Sequence, residues 1–127
     1  MVLASVETKE TLERWEFNVE YEADGDDKEN LSSNKNYRDK TDKDEKKIKQ
    51  EIREVIRQIT ASVTFLPLLD CICPFDVLIH THKDLDMPIE WGESKACLIT
   101  NPEHVQLWSF STNIHRVVTA VSYKADL

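Results

Sequence analysis

Hydrophobic and polar residues alternate along one short stretch near the start of the chain. From position 15 to position 21 every second residue is apolar, and these residues are Trp15, Phe17, Val19 and Tyr21. A period of two is typical of a half-buried strand. Residues 2–6 predict a second, shorter strand. The few polar residues between the two strands predict an antiparallel hairpin over residues 1–21.

A longer apolar pattern with a different spacing follows in the middle of the chain. Its residues recur at steps of three and four, and they are Ile48, Ile52, Val55, Ile56, Ile59 and Val63. This spacing predicts one face of an amphipathic helix over residues 48–67. Asp42 or Asp44 can cap its start, and Pro67 marks its end. Before it, residues 24–47 are mostly Asp, Lys, Asn and Ser, which predicts a flexible, solvated loop.

Three patterns make up the C-terminal half. An almost continuous apolar run within residues 71–81 predicts a strand, at residues 75–82, that is covered on both faces or lies in the middle of the sheet. Residues 84–101 follow no period and are too long for a simple turn. Residues 105–123 are rich in Val, Ile, Thr, Trp and Phe around a polar centre, and they predict a terminal β-hairpin.

Composition and charge limit the class of protein. A chain of 127 residues with 40% hydrophobic content fits one small domain. A net charge of -8 and a pI near 5.0 disfavour nucleic acid as the main partner, because such binding uses clustered Lys and Arg. We expect protein or peptide partners, no membrane segment and no secretion signal. Three cysteines, an odd and sparse set, indicate free thiols in a reducing compartment.

Candidate chemistry is sparse. A zinc site would need thiolates and imidazoles in two properly spaced pairs, and the spacing of the cysteines and histidines does not supply them. A small metal-dependent enzyme remains the alternative from another class, built on Cys71, Cys73, His80 and His82. The two glycines border neither a strained nucleophile turn nor a phosphate-binding loop. We therefore expect no enzyme, no metal and no cofactor.

Trp15 and Trp91 lie in different surroundings. Trp15 shares a strand face with other apolar residues and is expected in the core. Trp91 lies in the irregular segment, so it either pins that segment to the body of the protein or contacts a ligand.

The run from Arg57 to Leu69 closely resembles the central helix and its exit in spindle-checkpoint proteins of the HORMA-domain family. Further matching runs follow the family's order: Leu12-Glu13-Arg14-Trp15, Phe75-Asp76-Val77-Leu78-Ile79, Lys83-Asp84-Leu85, Ile99-Thr100-Asn101 and Ser109-Phe110-Ser111-Thr112. The resemblance implies an α+β fold, a partial HORMA domain with an antiparallel sheet, a long central helix and a mobile C-terminal β-hairpin called the safety belt. In the family, further helices and strands precede the matching part, so an exposed apolar patch is expected here.

The resemblance also implies a conformational switch. In the open form the safety belt, residues 84–123, lies along the edge of the strand at residues 75–82. In the closed form it pairs with the strand at residues 15–21, and an extended partner peptide takes the vacated edge. The implied peptide-binding residues are Phe75, Val77, Leu78, Ile79, His80 and Trp91. The implied belt-docking residues are Trp15, Phe17, Val19, Trp108, Phe110 and Tyr123. Open and closed copies would dimerise through Arg57, Gln58 and Phe65.

Two partners are implied by the same resemblance: the mitotic co-activator of the anaphase-promoting complex and the kinetochore coiled-coil checkpoint adaptor. Capture of the co-activator would delay anaphase, in a protein of the nucleus, the kinetochore and the cytoplasm. The alternatives are a HORMA adaptor of the meiotic axis or of a translesion polymerase, and a truncated fragment with impaired binding. The pattern does not choose between open and closed forms, because both use the same residues.

Overall fold

The computed structural model describes residues 1–21 and 40–125, with side chains described for residues 1–21 and 45–125. In that part of the chain the elements are β1 (Val2–Ala4), β2 (Thr11–Tyr21), α1 (Lys40–Ala61), β3 (Phe75–Asp76), β4 (Glu103–Ser111) and β5 (His115–Tyr123). The strands form one sheet in the order β3-β1-β2-β5-β4. The predicted fold class, an antiparallel sheet with a long central helix, is confirmed.

β1 and β2 form the N-terminal antiparallel hairpin, in which Val2 lies opposite Arg14. The first strand is shorter than the predicted residues 2–6 because Ser5 already belongs to the turn. Its main-chain N–H donates to the Glu10 carbonyl at 3.0 Å. Both strands were therefore predicted from the sequence, and the hydrogen bonds of the turn decide where the first strand ends.

The helix α1 begins at Lys40, inside the stretch for which the sequence predicts a loop. The predicted loop over residues 24–47 lies outside the described residues up to position 39. Residues one turn apart pair in this polar part of the helix: Glu45 and Lys49 lie 2.6 Å apart, and Lys49 lowers the pKa of the Glu45 carboxyl. The two aspartates predicted as caps lie inside the helix: Asp42 and Asp44.

The buried face of α1 and of the 3-10 turn that follows it (Ser62–Thr64) differs from the predicted apolar stripe at two positions. Val55 is 4% exposed and Ser62 is 2% exposed, whereas Ile56 and Val63 are 56% and 76% exposed. Each exposed residue follows a buried one, and one residue turns the helix by about 100°. At Ser62 the chain tightens into a three-residue 3-10 turn. The helix therefore ends before the predicted stop at Pro67.

β3 is a short strand at the edge of the sheet. Its two residues pair with β1, with Phe75 opposite Leu3 and Asp76 opposite Val2, and both are exposed. The prediction of a strand over residues 75–82 that is covered or central is therefore wrong in length and position. In this register the next residue comes opposite Met1, so the residues that follow pass the end of β1 and gain no ladder partner from it.

β4 and β5 form the C-terminal hairpin, which starts two residues before the predicted range of 105–123. Thr112 closes the turn between them. Its main-chain N–H donates to the His115 carbonyl at 2.7 Å, and its hydroxyl accepts a hydrogen bond from the His115 N–H at 2.9 Å. A threonine that satisfies main-chain groups in this way is ordinary turn chemistry.

The described chain divides into two compact units, each with its own buried residues. The first consists of Met1–Trp15, Leu66–Val105 and Val121–Leu127. Its buried apolar residues are Val2, Leu12, Trp15 and Val121. The second consists of Glu16–Phe65 and Gln106–Ala120. Its buried apolar residues are Val55, Leu107 and Ala120.

Candidate functional site

The edge strand β3 turns one side of its main chain away from the sheet. The carbonyls of Ile72 and Pro74 accept hydrogen bonds from the N-terminal hairpin at 3.1 and 3.4 Å, and Asp76 continues the ladder with β1. Main-chain groups of alternate residues face the same side of a strand. Phe75 therefore directs its N–H and C=O groups to the outer edge. Such an edge can accept another extended segment as an additional strand.

Five of the six predicted peptide-binding residues lie together in this exposed segment. Phe75, Val77 and Ile79 are 65%, 57% and 52% exposed, and they follow one another at the two-residue spacing of a strand face. Leu78 is half-buried and His80 is exposed. The segment thus combines outward main-chain groups with three apolar side chains that a bound segment could cover.

The sixth predicted residue, Trp91, lies in the irregular stretch between β3 and β4. It is 46% exposed, and its main-chain N–H closes a turn onto the Pro88 carbonyl at 3.0 Å. A neighbouring residue, Ile89, is fully exposed at 100%. The structure therefore organises this stretch by local turns, and the indole face of Trp91 keeps surface that a ligand could contact.

The C-terminal hairpin lies beside β2, at the opposite side of the sheet order from β3. The chain after β5 continues the contact: the Lys124 N–H donates to the Leu12 carbonyl at 2.9 Å, and its ammonium group contacts the Glu10 carboxylate at 2.6 Å. Of the two arrangements described above for this hairpin, the structure shows the one in which it pairs with β2.

The predicted belt-docking residues are buried to very different extents. Trp15 is 6% exposed, and its indole N–H donates to the Glu13 carboxylate at 2.5 Å. The others keep more surface: Phe17 is 51%, Val19 is 61% and Trp108 is 58% exposed, while Phe110 and Tyr123 are half-buried. β5 lies next to β2 in the sheet, and among these side chains only Trp15 is buried.

Two polar residues of α1 hold β4 in the second unit. The Gln58 amide oxygen accepts a hydrogen bond from the Trp108 N–H at 2.6 Å, and the Glu51 carboxylate accepts one from the Ser111 N–H at 3.2 Å. Glu51 is not among the residues predicted from the sequence. Its spacing of seven residues from Gln58 places both on one helix face, beside the apolar stripe, and that placement is the signal that could have found it.

The remaining residues of the predicted dimer contact are open to solvent. Arg57 is exposed and pairs with Glu54 at 3.5 Å, and Phe65 is 40% exposed just after the 3-10 turn. Arg57 and Phe65 keep exposed surface. Gln58, in contrast, already uses its amide oxygen inside the chain.

In the described part of the chain, His, Cys, Asp and Glu side chains form no group of three or more that could hold a metal ion. No described helix is both long and apolar enough to cross a bilayer.

Comparison with known families adds a direct finding. A model described as "HORMA domain" matches residues 1–115 of the chain. The chain is 47% identical over 124 residues to "Mitotic spindle assembly checkpoint protein MAD2A" of Homo sapiens, which covers 98% of this chain and 56% of the relative. It is 39% identical over 126 residues to "Mitotic spindle checkpoint component mad2" of Schizosaccharomyces pombe, with 99% and 58% covered.

A solved structure shares the fold. One chain of the "Crystal Structure of Mitotic Checkpoint Complex" superposes with a TM-score of 0.79 at 39% sequence identity, covering 98% of this chain and 59% of that one. The chain thus spans a little more than half the length of these relatives.

Proposed function

The chain belongs to the HORMA-domain family, and from that premise we propose that it is a spindle-checkpoint adaptor that binds and encloses an extended peptide. The observation that carries the proposal is the pairing of the C-terminal hairpin with β2, which leaves β3 as the edge strand at the other side of the sheet. Relatives that match almost the whole chain are named as spindle-checkpoint proteins, which favours this family branch over meiotic-axis or translesion adaptors.

The peptide docks along the outer edge of β3. Its main chain pairs with the outward N–H and C=O groups of Phe75 and with the main chain of Val77, which supplies affinity without reading side chains. Alternate peptide side chains then cover the exposed apolar residues, including Ile79. Residues 84–101, with Trp91, form the strap over the peptide. A strap of this kind slows dissociation more than it speeds association.

The proposed partners are the mitotic co-activator of the anaphase-promoting complex and the kinetochore coiled-coil checkpoint adaptor, so the protein acts in the nucleus, at the kinetochore and in the cytoplasm. Arg57, Gln58 and Phe65 contribute to dimers of open and closed copies. The adaptor works by binding and is not an enzyme. The names of the relatives and of the similar solved structure support the checkpoint role.

Titration calorimetry with a synthetic co-activator peptide tests the proposal. Val77→Pro removes one main-chain N–H and places a ring at the edge, so we expect peptide affinity to fall about tenfold or more. Val77→Ala keeps the N–H and is the matched control, with an expected loss of about threefold or less.

Two results would overturn the proposal. One is equal binding by Val77→Pro and Val77→Ala when both variants show the far-UV circular dichroism of the parent chain. The other is absence of binding both by this chain and by a version extended at its N-terminus with the preceding elements of a family member.

A further inference from the structure

Two cysteines lie side by side just before the edge strand. The sulfur atoms of Cys71 and Cys73 are 3.3 Å apart, and both residues are partly exposed free thiols. Between and after them, the carbonyls of Ile72 and Pro74 hold the N-terminal hairpin by main-chain hydrogen bonds. Because the chain is extended there, residues two apart share a face, and this brings both thiols to the same side.

We propose that Cys71 and Cys73 form a redox-active dithiol, which a low-molecular-weight disulfide such as glutathione disulfide oxidises to an intramolecular disulfide. The inference uses the geometry of the two thiols alone and does not rest on peptide binding. It assigns a chemical function to a pair of residues that the adaptor function leaves without one.

The reaction balances in two exchange steps. A thiolate of the pair attacks one sulfur of glutathione disulfide, which forms a mixed disulfide and releases one glutathione thiolate. The second protein thiol then loses its proton and attacks the protein sulfur of the mixed disulfide, which closes the intramolecular bond and releases the second glutathione. The protein loses two electrons and two protons, and one glutathione disulfide becomes two molecules of glutathione.

The surroundings of the two thiols indicate which of them reacts first. Partial burial raises the pKa of the Cys73 thiol, and its hydrogen bond with Cys71 and the negative charges of Cys71, Asp70 and Glu13 add to that shift. The raised pKa favours the protonated form of Cys73. In the proposed sequence Cys71 therefore attacks first, and Cys73 closes the bond.

The disulfide is labile because closing so short a loop removes little entropy from the unfolded chain and so stabilises the folded chain little. A reducing glutathione pool therefore keeps the pair as thiols, and an oxidising shift closes it reversibly.

Closure has a structural consequence at the sheet. Drawing the two cysteines together displaces Ile72, whose carbonyl accepts the Val6 N–H at 3.1 Å, and it strains the bond from the Ala4 N–H to Pro74. Amide exchange of Val6 and Ala4 is therefore expected to be faster in the oxidised chain. The same displacement reaches the start of β3. An effect on peptide binding would follow, and that last effect alone depends on the proposed function.

Glutathione buffers of graded oxidation test the dithiol in the full chain. After an acid quench and alkylation, mass spectrometry of the peptide that carries both cysteines should show the loss of two hydrogen atoms in oxidising buffer and full recovery in reducing buffer. Cys71→Ser and Cys73→Ser should instead retain one glutathione as a mixed disulfide. Cys97→Ser is the control and should behave like the parent chain, because Cys97 bonds locally to the Lys95 carbonyl.

Phenylarsine oxide gives a second test that needs no oxidation, because one arsenic atom bridges two adjacent thiols. The native chain should bind one arsenical, and either single substitution of the pair should abolish that binding, while Cys97→Ser retains it. The inference fails if both thiols of the native chain stay open to alkylation in every buffer and bind no arsenical. Accumulation of mixed disulfides in the parent chain without closure would also overturn it.

Discussion

At the scale of single residues, Gln58 has one observed contact inside its own chain and one proposed role in a dimer contact. The sequence resemblance places it in a dimer contact, whereas the structure gives its amide oxygen to the Trp108 N–H at 2.6 Å. A substitution at Gln58 therefore changes the fold of its own chain as well as any contact with a second copy. Arg57, one residue earlier, makes only an exposed pair with Glu54.

This difference leads to a stability prediction. Gln58→Ala should lower the free energy of unfolding by about 0.5–1 kcal/mol, at the low end for a lost hydrogen bond because water can reach the exposed Trp108 N–H. Arg57→Ala is the matched control and should be nearly neutral, since exposed ion pairs contribute little. Urea unfolding of both variants measures the effect. Equal midpoints for the two would contradict the assigned bond.

At the scale of elements, the turn of the C-terminal hairpin depends on Thr112. Its hydroxyl accepts the N–H of Ile114 at 3.2 Å and of His115 at 2.9 Å, in addition to the main-chain bond that closes the turn. The turn of this hairpin is therefore stabilised by hydrogen bonds within the hairpin itself. Such a turn suits a segment that the proposed function requires to move as a unit.

Thr112→Ala should weaken this turn by about 1 kcal/mol, because both N–H groups lose their acceptor. Amide exchange at His115 would then be about fivefold faster, provided that it occurs by local opening. Thr112→Ser keeps the hydroxyl and should exchange at nearly the parent rate. If Ala and Ser variants exchange alike, the hydroxyl does not stabilise the turn.

The length of the edge strand β3, in contrast, is set by its partner strand. β3 has two residues in the ladder, although the apolar run that predicted it is several residues longer. A strand is defined by a partner as well as by its own residues, and β1 offers Phe75 and Asp76 a ladder but ends beside Val77. The apolar residues beyond are left exposed, as the proposed peptide site requires.

At the scale of the whole molecule, exposed apolar surface is the dominant feature. Twenty large hydrophobic residues of the described chain are exposed, and in the second unit they include Phe17, Val19 and Tyr21. Monomeric proteins rarely leave contiguous apolar patches of this kind uncovered, and such patches favour association.

The chain on its own should therefore self-associate. Replacing Phe17 and Val19 together by Thr keeps strand propensity and removes apolar surface, so we expect the association constant to fall about thirtyfold, at about 1 kcal/mol for each residue. Asn18→Ser, on the same strand, is the control. Sedimentation over a concentration series measures the change, and an unchanged constant in the double variant would place the associating surface elsewhere.

The family, the two hairpins and the central helix could be predicted from the sequence alone. Period two at residues 15–21 and period three to four at residues 48–63 report local geometry, which each segment carries in its own side chains. The resemblance to the family also rests on local signals, because the run from Arg57 to Leu69 and the other matches are runs of contiguous residues. Local signals of this kind need no knowledge of what lies opposite in the fold.

Only the tertiary structure decided the rest. The length of β3, the position of the C-terminal hairpin beside β2 and the second use of Gln58 all depend on which groups come opposite one another. Pairing between distant segments is set by the register of the sheet and by competition among main-chain hydrogen bonds. These outcomes depend on several distant segments at once, so they cannot be predicted from any one stretch of the sequence.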